Sequence, residues 1–463
     1  MNLEEKDFLD DTFSKMRAFM PVGEKMPNFH PRLQVEMKED MPDFLKSAWD
    51  LAVFEAEANI QPCSYGGEYF TAGGRGGWYD MLFGQDTVAC GLLAFNKLYP
   101  CLMKNQIRSY VLARLNIGFM GPDGWVLENC DRSIPLDMDV WRPNSRAFCE
   151  RYHLSPALNR TGQDVGWLWT AGDLFDLCGD RMDWAWLFGM GELFFDHFYS
   201  PFYDEKDGLY FGQASFIDVG TTGYPFAFRD MDGQQQRNAA VWLKTPSTNA
   251  LYVRGMDVMA HAARVLGRKE DALRWQGRAD ALRESIRNHL RFEDGAFSYF
   301  MDPNGNLEPR CEALGAAYCI LAEVVTGEDA IKALALDRLQ FSKAGVSLFY
   351  PFYDENSRAY HNHSAWPFAS TFYYMAKEKA TGESCLREDA VQLANSISLP
   401  TEFKTSVMGT LDDYATGTFH EYARWDNQEP RGCLAQCFSI SAFMNLCIRN
   451  NWLDREFPNS RFL

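Results

Sequence analysis

A helical hydrophobic period that recurs throughout the chain constrains its fold more than any other feature. Apolar residues return at three- and four-residue spacing in twelve segments: 44–59, 85–99, 103–120, 163–178, 182–198, 247–267, 270–290, 312–324, 328–339, 365–380, 385–397 and 434–449. That spacing predicts helices with a buried face, and twelve helices make six hairpins. The segments alternate in character. QDTVACGLLAF (85–95), STNALYVRGMDVMAHAA (247–263) and LAQCFSISAFMNLC (434–447) are apolar or small nearly all round, whereas EDALRWQGRADALRESIRNHL (270–290) carries a charged face. Helices of the first kind suit a ring buried on both sides and those of the second kind an outer ring. Three turns, VLGRKEDA (265–272), VVTGEDA (324–330) and KATGESC (379–385), share a glycine followed by acidic residues, which reads as a helix C-cap and then a new N-terminal turn. No low-complexity linker interrupts the series. The expected fold is therefore all-α, a single (α/α)6 toroid over residues 44–463, with residues 1–43 as an arm packed against it.

Composition excludes several functions. At 46% hydrophobic and 23% charged residues the chain has ample material for a core. Its net charge of −18 argues against nucleic acid and anionic membrane as partners, since both call for basic patches. No segment has the long uncharged run of a membrane helix, and the acidic start MNLEEKDFLDD differs from an export signal, so the cytoplasm is the expected location. The 12 cysteines lack paired metal-ligand spacing, and neither HExxH nor an EF-hand loop occurs. They read as small buried residues in a reducing compartment, and no metal or cofactor is expected.

The segments between helices hold the candidate chemistry. Residues 121–162, 199–246, 341–363 and 399–433 exceed ordinary loop lengths, and long loops in compact domains are disproportionately functional. Short strands are expected in GLYFGQASFI (208–217) and AFSYFM (296–301). One loop, GLYFGQASFIDVGTTGYP (208–225), carries Asp218 behind the apolar Phe216 and Ile217; another, TGTFHEYARWDNQEPRG (416–432), carries Glu421 between His420 and Tyr422. Apolar neighbours raise a carboxyl pKa, so Asp218 suits a proton donor. On the residues alone, a turn aspartate capping Gly220 and Thr221 is the better reading, as is a Glu421 paired with Arg424 or Arg431. Asp139, Asp164, Asp412 and Asp413 are further acidic candidates.

Four segments together give these residues a context. GQDTVACGLLAF (84–95), the Asp218 loop, YHNHSAWPFASTF (360–372) and the Glu421 loop resemble, in order and spacing, motifs of the six-hairpin glycosidases, the group of trehalase, processing α-glucosidase, amylo-α-1,6-glucosidase and α-rhamnosidase-like enzymes. The likeness runs from about Trp78 to the C-terminus, although each motif is short. It implies an exo-acting inverting hydrolase of short oligosaccharides or glycosides, with Asp218 as acid and Glu421 as base on water. Trp78 and Trp366 are expected to supply a stacking floor for the sugar. Gln85, Asp86, Tyr360, Asn362, His363 and His420 would line the binding site. Two departures stand out. Gln85 occupies the place where many relatives have arginine, and no β-sandwich precedes GGRGGWYD (73–80) as it does in many of them. Rival readings are a sugar epimerase on the same barrel, using His361, His363 and His420 as proton shuttles, and a sugar-binding toroid without catalysis.

Overall fold

A computed structural model describes residues 31–62, 67–73, 82–119, 165–217, 224, 243–353, 360–397, 401–404, 412–415 and 417–463. Twelve long helical stretches occur among them. They are α1 (Asp43–Ala58), α2 (84–98, in which Gly84–Cys90 continues through a π-helical Gly91–Phe95), α3 (Pro100–Phe119), α4 (Gly166–Cys178), α5 (Arg181–Phe194) and α6 (Pro246–Leu266). The second half comprises α7 (Lys269–His289), α8 (Ala313–Leu321), α9 (Glu328–Ala333), α10 (Pro367–Thr381), α11 (Leu386–Ile397) and α12 (Cys437–Arg449).

Even-numbered helices form the inner ring. Helix α2 packs on α4, α4 on α6, α6 on α8, α8 on α10, α10 on α12, and α12 returns to α2, which closes the circle. The odd-numbered helices lie outside it, as α7 does against α6 and α1 and α11 do against α12. Burial follows the sequence pattern. Helix α6 is covered along nearly its whole length from Pro246 to Ala263. In α7 only Ala272, Trp275, Ala279, Leu282 and Ile286 are buried, a single stripe at helical spacing. The chain is thus an (α/α)6 toroid, two layers of helix around one core.

Local chemistry sets the hairpins. Asp180 accepts from the N–H groups of Met182 and Asp183 at 2.8 and 2.9 Å, and Asp183 accepts from Asp180 N–H at 3.1 Å, a reciprocal cap that starts α5. Asp183 also holds Lys104 and Arg108 of α3 at 2.6 and 2.9 Å. Gly267 and Gly382 end α6 and α10 in the left-handed conformation, as expected of their turns. Gly327 does not cap α8. That helix stops at Leu321, and Gly327 stands instead at the N-cap of α9, where Ala330 N–H reaches its carbonyl at 3.1 Å. Helix α9 is also shorter than the sequence period implies, ending at Ala333 shortly before Ala335 turns to φ 51°.

Connection lengths are strictly asymmetric. Inner helices pass to outer ones through Tyr99, Gly179–Asp180, Gly267–Arg268, 322–327 and 382–385. Outer helices return to inner ones through 59–83, 120–165, 195–245, 290–312, 334–366 and 398–436. Every long connection therefore arrives at the rim where the six inner helices begin.

A five-stranded sheet on that rim went unread in the sequence. Its strands are β1 (Ser364–Ala365), β2 (Thr401–Lys404), β3 (Asp412–Ala415), β4 (His420–Arg424) and β5 (Pro430–Leu434), in the order β3-β2-β5-β4-β1. All neighbours are antiparallel except β2 and β5. The strands expected in 208–217 and 296–301 amount to Leu209–Tyr210 paired with Tyr203–Asp204, and isolated bridges at Phe297 and Met301. Ahead of α1, residues 31–42 run against the barrel. Arg32 and Leu33 donate backbone N–H groups to Glu57, both at 2.8 Å, and Met37 bridges Leu453. Residues 1–30 of the expected arm lie outside the described residues.

Candidate active site

Glu421 sits on the bulged hairpin of β4 and β5. The register slips between His420 and Tyr422, and Gly432 on the facing strand takes φ +87°, a conformation open to glycine without penalty. The close approach requires the same residue, because a Cβ on Gly432 would overlap the Glu421 carboxyl. Glu421 is 3% exposed. Its Oε1 accepts from the Tyr360 hydroxyl at 2.8 Å and its Oε2 from Cys433 N–H at 2.9 Å. A carboxylate held by two donors has a fixed direction and suits proton abstraction from a water placed before it.

Behind it stands an aromatic wall. The Trp366 ring lies nearly parallel to Tyr422 (centroids 5.4 Å apart, 17°) and to His361 (5.3 Å, 28°), and Tyr360 meets Tyr422 edge-on at 5.3 Å. Trp366 donates its indole N–H to Ser364 Oγ at 3.1 Å and is only 2% exposed, so in this conformation it braces the wall rather than presenting an open floor.

Asp86 opens α2 on the same rim, half-buried beside Gln85. Gln436 Nε2 donates to Asp86 Oδ1 at 3.3 Å. The carboxyls of Glu421 and Asp86 both lie close enough to the Cys433 thiol to help burial push its pKa well up. Two acidic side chains, one on a helix start and one on a hairpin, thus face a common region.

Asp218 itself lies outside the described residues, but the segment leading to it does not. Phe216, at φ 64°, packs on Phe368 (4.2 Å) and Phe438 (5.7 Å), the second residues of α10 and α12. Phe438 in turn lies 5.8 Å from Trp366. Tyr224 ties the segment by donating its hydroxyl to Ile217 O at 3.0 Å. The start of α6 holds it from below: Thr248 Oγ1 donates to Gln213 O at 2.6 Å, and Ser215 N–H reaches Ser247 Oγ at 2.9 Å. Next to Ser247, the N-cap residue of α8, Glu312, is buried, and burial pushes its carboxyl well above the usual range.

Other expected site residues are placed differently. Asn362 is fully buried and commits its amide to Tyr353, accepting from its N–H at 2.9 Å and donating to its carbonyl at 3.2 Å. His363, at φ 55°, stacks on Phe352 with centroids 4.2 Å apart. His420 is buried and lines a separate cavity of about 690 Å³, shared with Lys343, Ser370, Asp389 and Gln392, and its pKa is lowered by burial to about 4. Trp78, Asp139 and Asp164 lie outside the described residues. Sequence reading missed Gln436 and the Cys433 N–H, whose places depend on chain crossings rather than on a local motif. Among the described residues no cluster of His, Cys, Asp and Glu could hold a metal ion, and no helix is long and apolar enough to cross a membrane.

Comparison with known proteins agrees with this architecture. Residues 203–423, which contain both Asp218 and Glu421, match the family model of the mannosylglycerate hydrolase MGH1-like glycoside hydrolase domain. That match covers just under half of the chain. Among solved structures, the chain is similar to a sialidase, with a TM-score of 0.61 and 13% identity over 96% of this chain and 37% of that one. It is also similar to a GH78 family rhamnosidase of Bacillus sp. GL1, with a TM-score of 0.55 and 14% identity over 92% and 36%. A GH63 mannosylglycerate hydrolase from Thermus thermophilus, in complex with Tris and D-glycerate, gives 0.54 and 15% over 86% and 99%. The chain thus spans little more than a third of the first two proteins and nearly all of the third. Against curated protein sequences it finds no match.

Proposed function

We propose that the protein is an exo-acting, inverting glycoside hydrolase of short oligosaccharides or glycosides, with Asp218 as general acid and Glu421 as general base. The observation that carries this reading is the Glu421 carboxylate, oriented by Tyr360 and Cys433 on the rim where Phe216 and Ile217 deliver the chain to Asp218. In the proposed reaction, Asp218 protonates the glycosidic oxygen as its bond to the anomeric carbon breaks. Glu421 takes a proton from a water that attacks the opposite face of the oxocarbenium-like centre. Asp86 and Gln85 would bind sugar hydroxyls. The name of the matching family makes mannosylglycerate the first glycoside to test. The free thiols of the described cysteines suit a reducing compartment such as the cytoplasm.

The epimerase reading has less support, since it needs histidines converging on one sugar. His361 packs on Trp366, His363 on Phe352, and His420 lines the cavity shared with Lys343 and Asp389.

Glu421→Gln and Asp218→Asn should each lower turnover by roughly 10²–10⁴-fold with the fold retained. NMR of the first product should show inversion, and the two carboxyls should stand about 6.5–9.5 Å apart. Retention of configuration, or near-normal turnover by either variant, would sink the assignment.

A further inference from the structure

Glu55 belongs to the outer helix α1, yet it is 0% exposed and bonds directly to the residues just before Glu421. Its Oε2 accepts from Phe419 N–H at 3.0 Å, two residues before Glu421, and the Thr418 hydroxyl lies beside the same carboxyl. One turn further along α1, the fully buried Asn59 donates to Ala435 O at 2.7 Å, two residues beyond Cys433. The tethered points are also tied to each other: Ala435 N–H donates to Thr418 Oγ1 at 3.0 Å, and Gln436 N–H to Phe419 O at 3.2 Å. One end of an outer helix therefore grips both feet of the hairpin that carries Glu421, its Cys433 donor and the Gln436 that reaches Asp86.

Packing alone does not account for this carboxyl. Its Oε1 is buried without a hydrogen-bond partner, and a buried polar atom left unpaired is a net cost that an apolar side chain would avoid. What a hydrophobe could not supply is the acceptor for Phe419 N–H. The titratable neighbours are the Cys437 thiol on α12 and, beyond it, Asp86 on α2. Burial pushes the Glu55 carboxyl up to about 8, so it carries a proton at neutral pH.

We propose that Glu55 is a positioning residue for the base, fixing the hairpin feet so that Glu421 meets Tyr360 and Cys433. The proposal rests on Glu421 as base, but its test has a readout independent of turnover. Hydrogen–deuterium exchange is followed in peptides covering 417–436, with the buried helix α6 as internal reference. Glu55→Ala should speed exchange in 417–436 by about tenfold or more at pH 7 while α6 stays protected. Glu55→Gln, which keeps an acceptor without a titrating proton, should match wild type there. At pH 9, after correction for intrinsic exchange, wild type should loosen in this hairpin and Glu55→Gln should not. On any glycoside that wild type hydrolyses, Glu55→Ala should lower kcat by about tenfold with little change in KM, and Glu55→Gln should restore it. Unchanged exchange in 417–436, or a rise shared equally by α6, overturns the proposal and leaves Glu55 an ordinary core residue. Full activity of Glu421→Gln would instead defeat the catalytic assignment, and the exchange data would still report on the tether.

Discussion

The Tyr360 hydroxyl stands 2.8 Å from Glu421 Oε1 and donates to it, joining the loop before α10 to the hairpin before α12. A hydrogen bond to a charged acceptor is worth about 1.5–3 kcal/mol. Tyr360→Phe keeps the ring that packs edge-on against Tyr422 and removes only the donor. Its kcat should therefore fall roughly 10–100-fold with KM nearly unchanged, as steady-state kinetics on an active glycoside would show. A variant with raised KM and normal kcat would make Tyr360 a sugar contact.

Gly432 offers a second test. At φ +87° any other residue is strained by about 1–3 kcal/mol, and a Cβ there also meets the Glu421 carboxyl. Gly305 has the same φ of +87°, and a Cβ added there would meet nothing within 4 Å, so Gly305→Ala controls for strain alone. Both substitutions should lower the unfolding temperature, whereas only Gly432→Ala should abolish turnover. Equal turnover in the two would mean that the bulge does not position the carboxylate.

The helices were legible because a 3.6-residue period is local, and burial of an inner helix on both sides shows in its composition. The sheet was not, because its strands are short and pair across long separations, as Glu402 does with Arg431. Glu421 and Tyr360 were both singled out in the sequence, but the hydrogen bond between them needed the fold. Trp366 and Asn362 were read as sugar-facing and are buried, since a W-P or N-H sequence does not say which face of a loop meets the core. Glu55 left a signal that went unread. It follows Ala52 by three residues and Ala48 by seven, on the stripe of α1 that also buries Leu45 and Trp49.

Asp86 should separate binding from chemistry. It opens a helix and accepts from Gln436, and it lies outside the hairpin that orients Glu421. Asp86→Ala should raise KM by about 10–100-fold with a smaller effect on kcat. Collapse of kcat with unchanged KM would move Asp86 into proton transfer.

Stability should depend on pH in a direction set by buried groups. Burial raises the carboxyl of Glu55 to about 8, that of Asp389 to about 7, and that of Glu312 well above its ordinary value. Each keeps its proton in the fold and loses it on unfolding, so unfolding releases protons. The stabilisation is full below the unfolded pKa and is lost as pH rises through the folded value, by about 1.4 kcal/mol per pH unit for each proton released. His361 and His420 act in the opposite sense, with burial lowering them to about 3 and about 4. They stay neutral in the fold while the unfolded chain binds protons, so their effect falls below about pH 6.5. Between about pH 6.5 and 8 the acids therefore dominate, and the unfolding temperature should fall as pH rises. Asp389→Asn, which keeps an acceptor for the Thr371 hydroxyl now 3.0 Å from Oδ2, should flatten the curve up to about pH 7. Calorimetric scans across this range decide the matter, because an unfolding temperature that climbs with pH would mean these carboxyls are ionised in the folded protein.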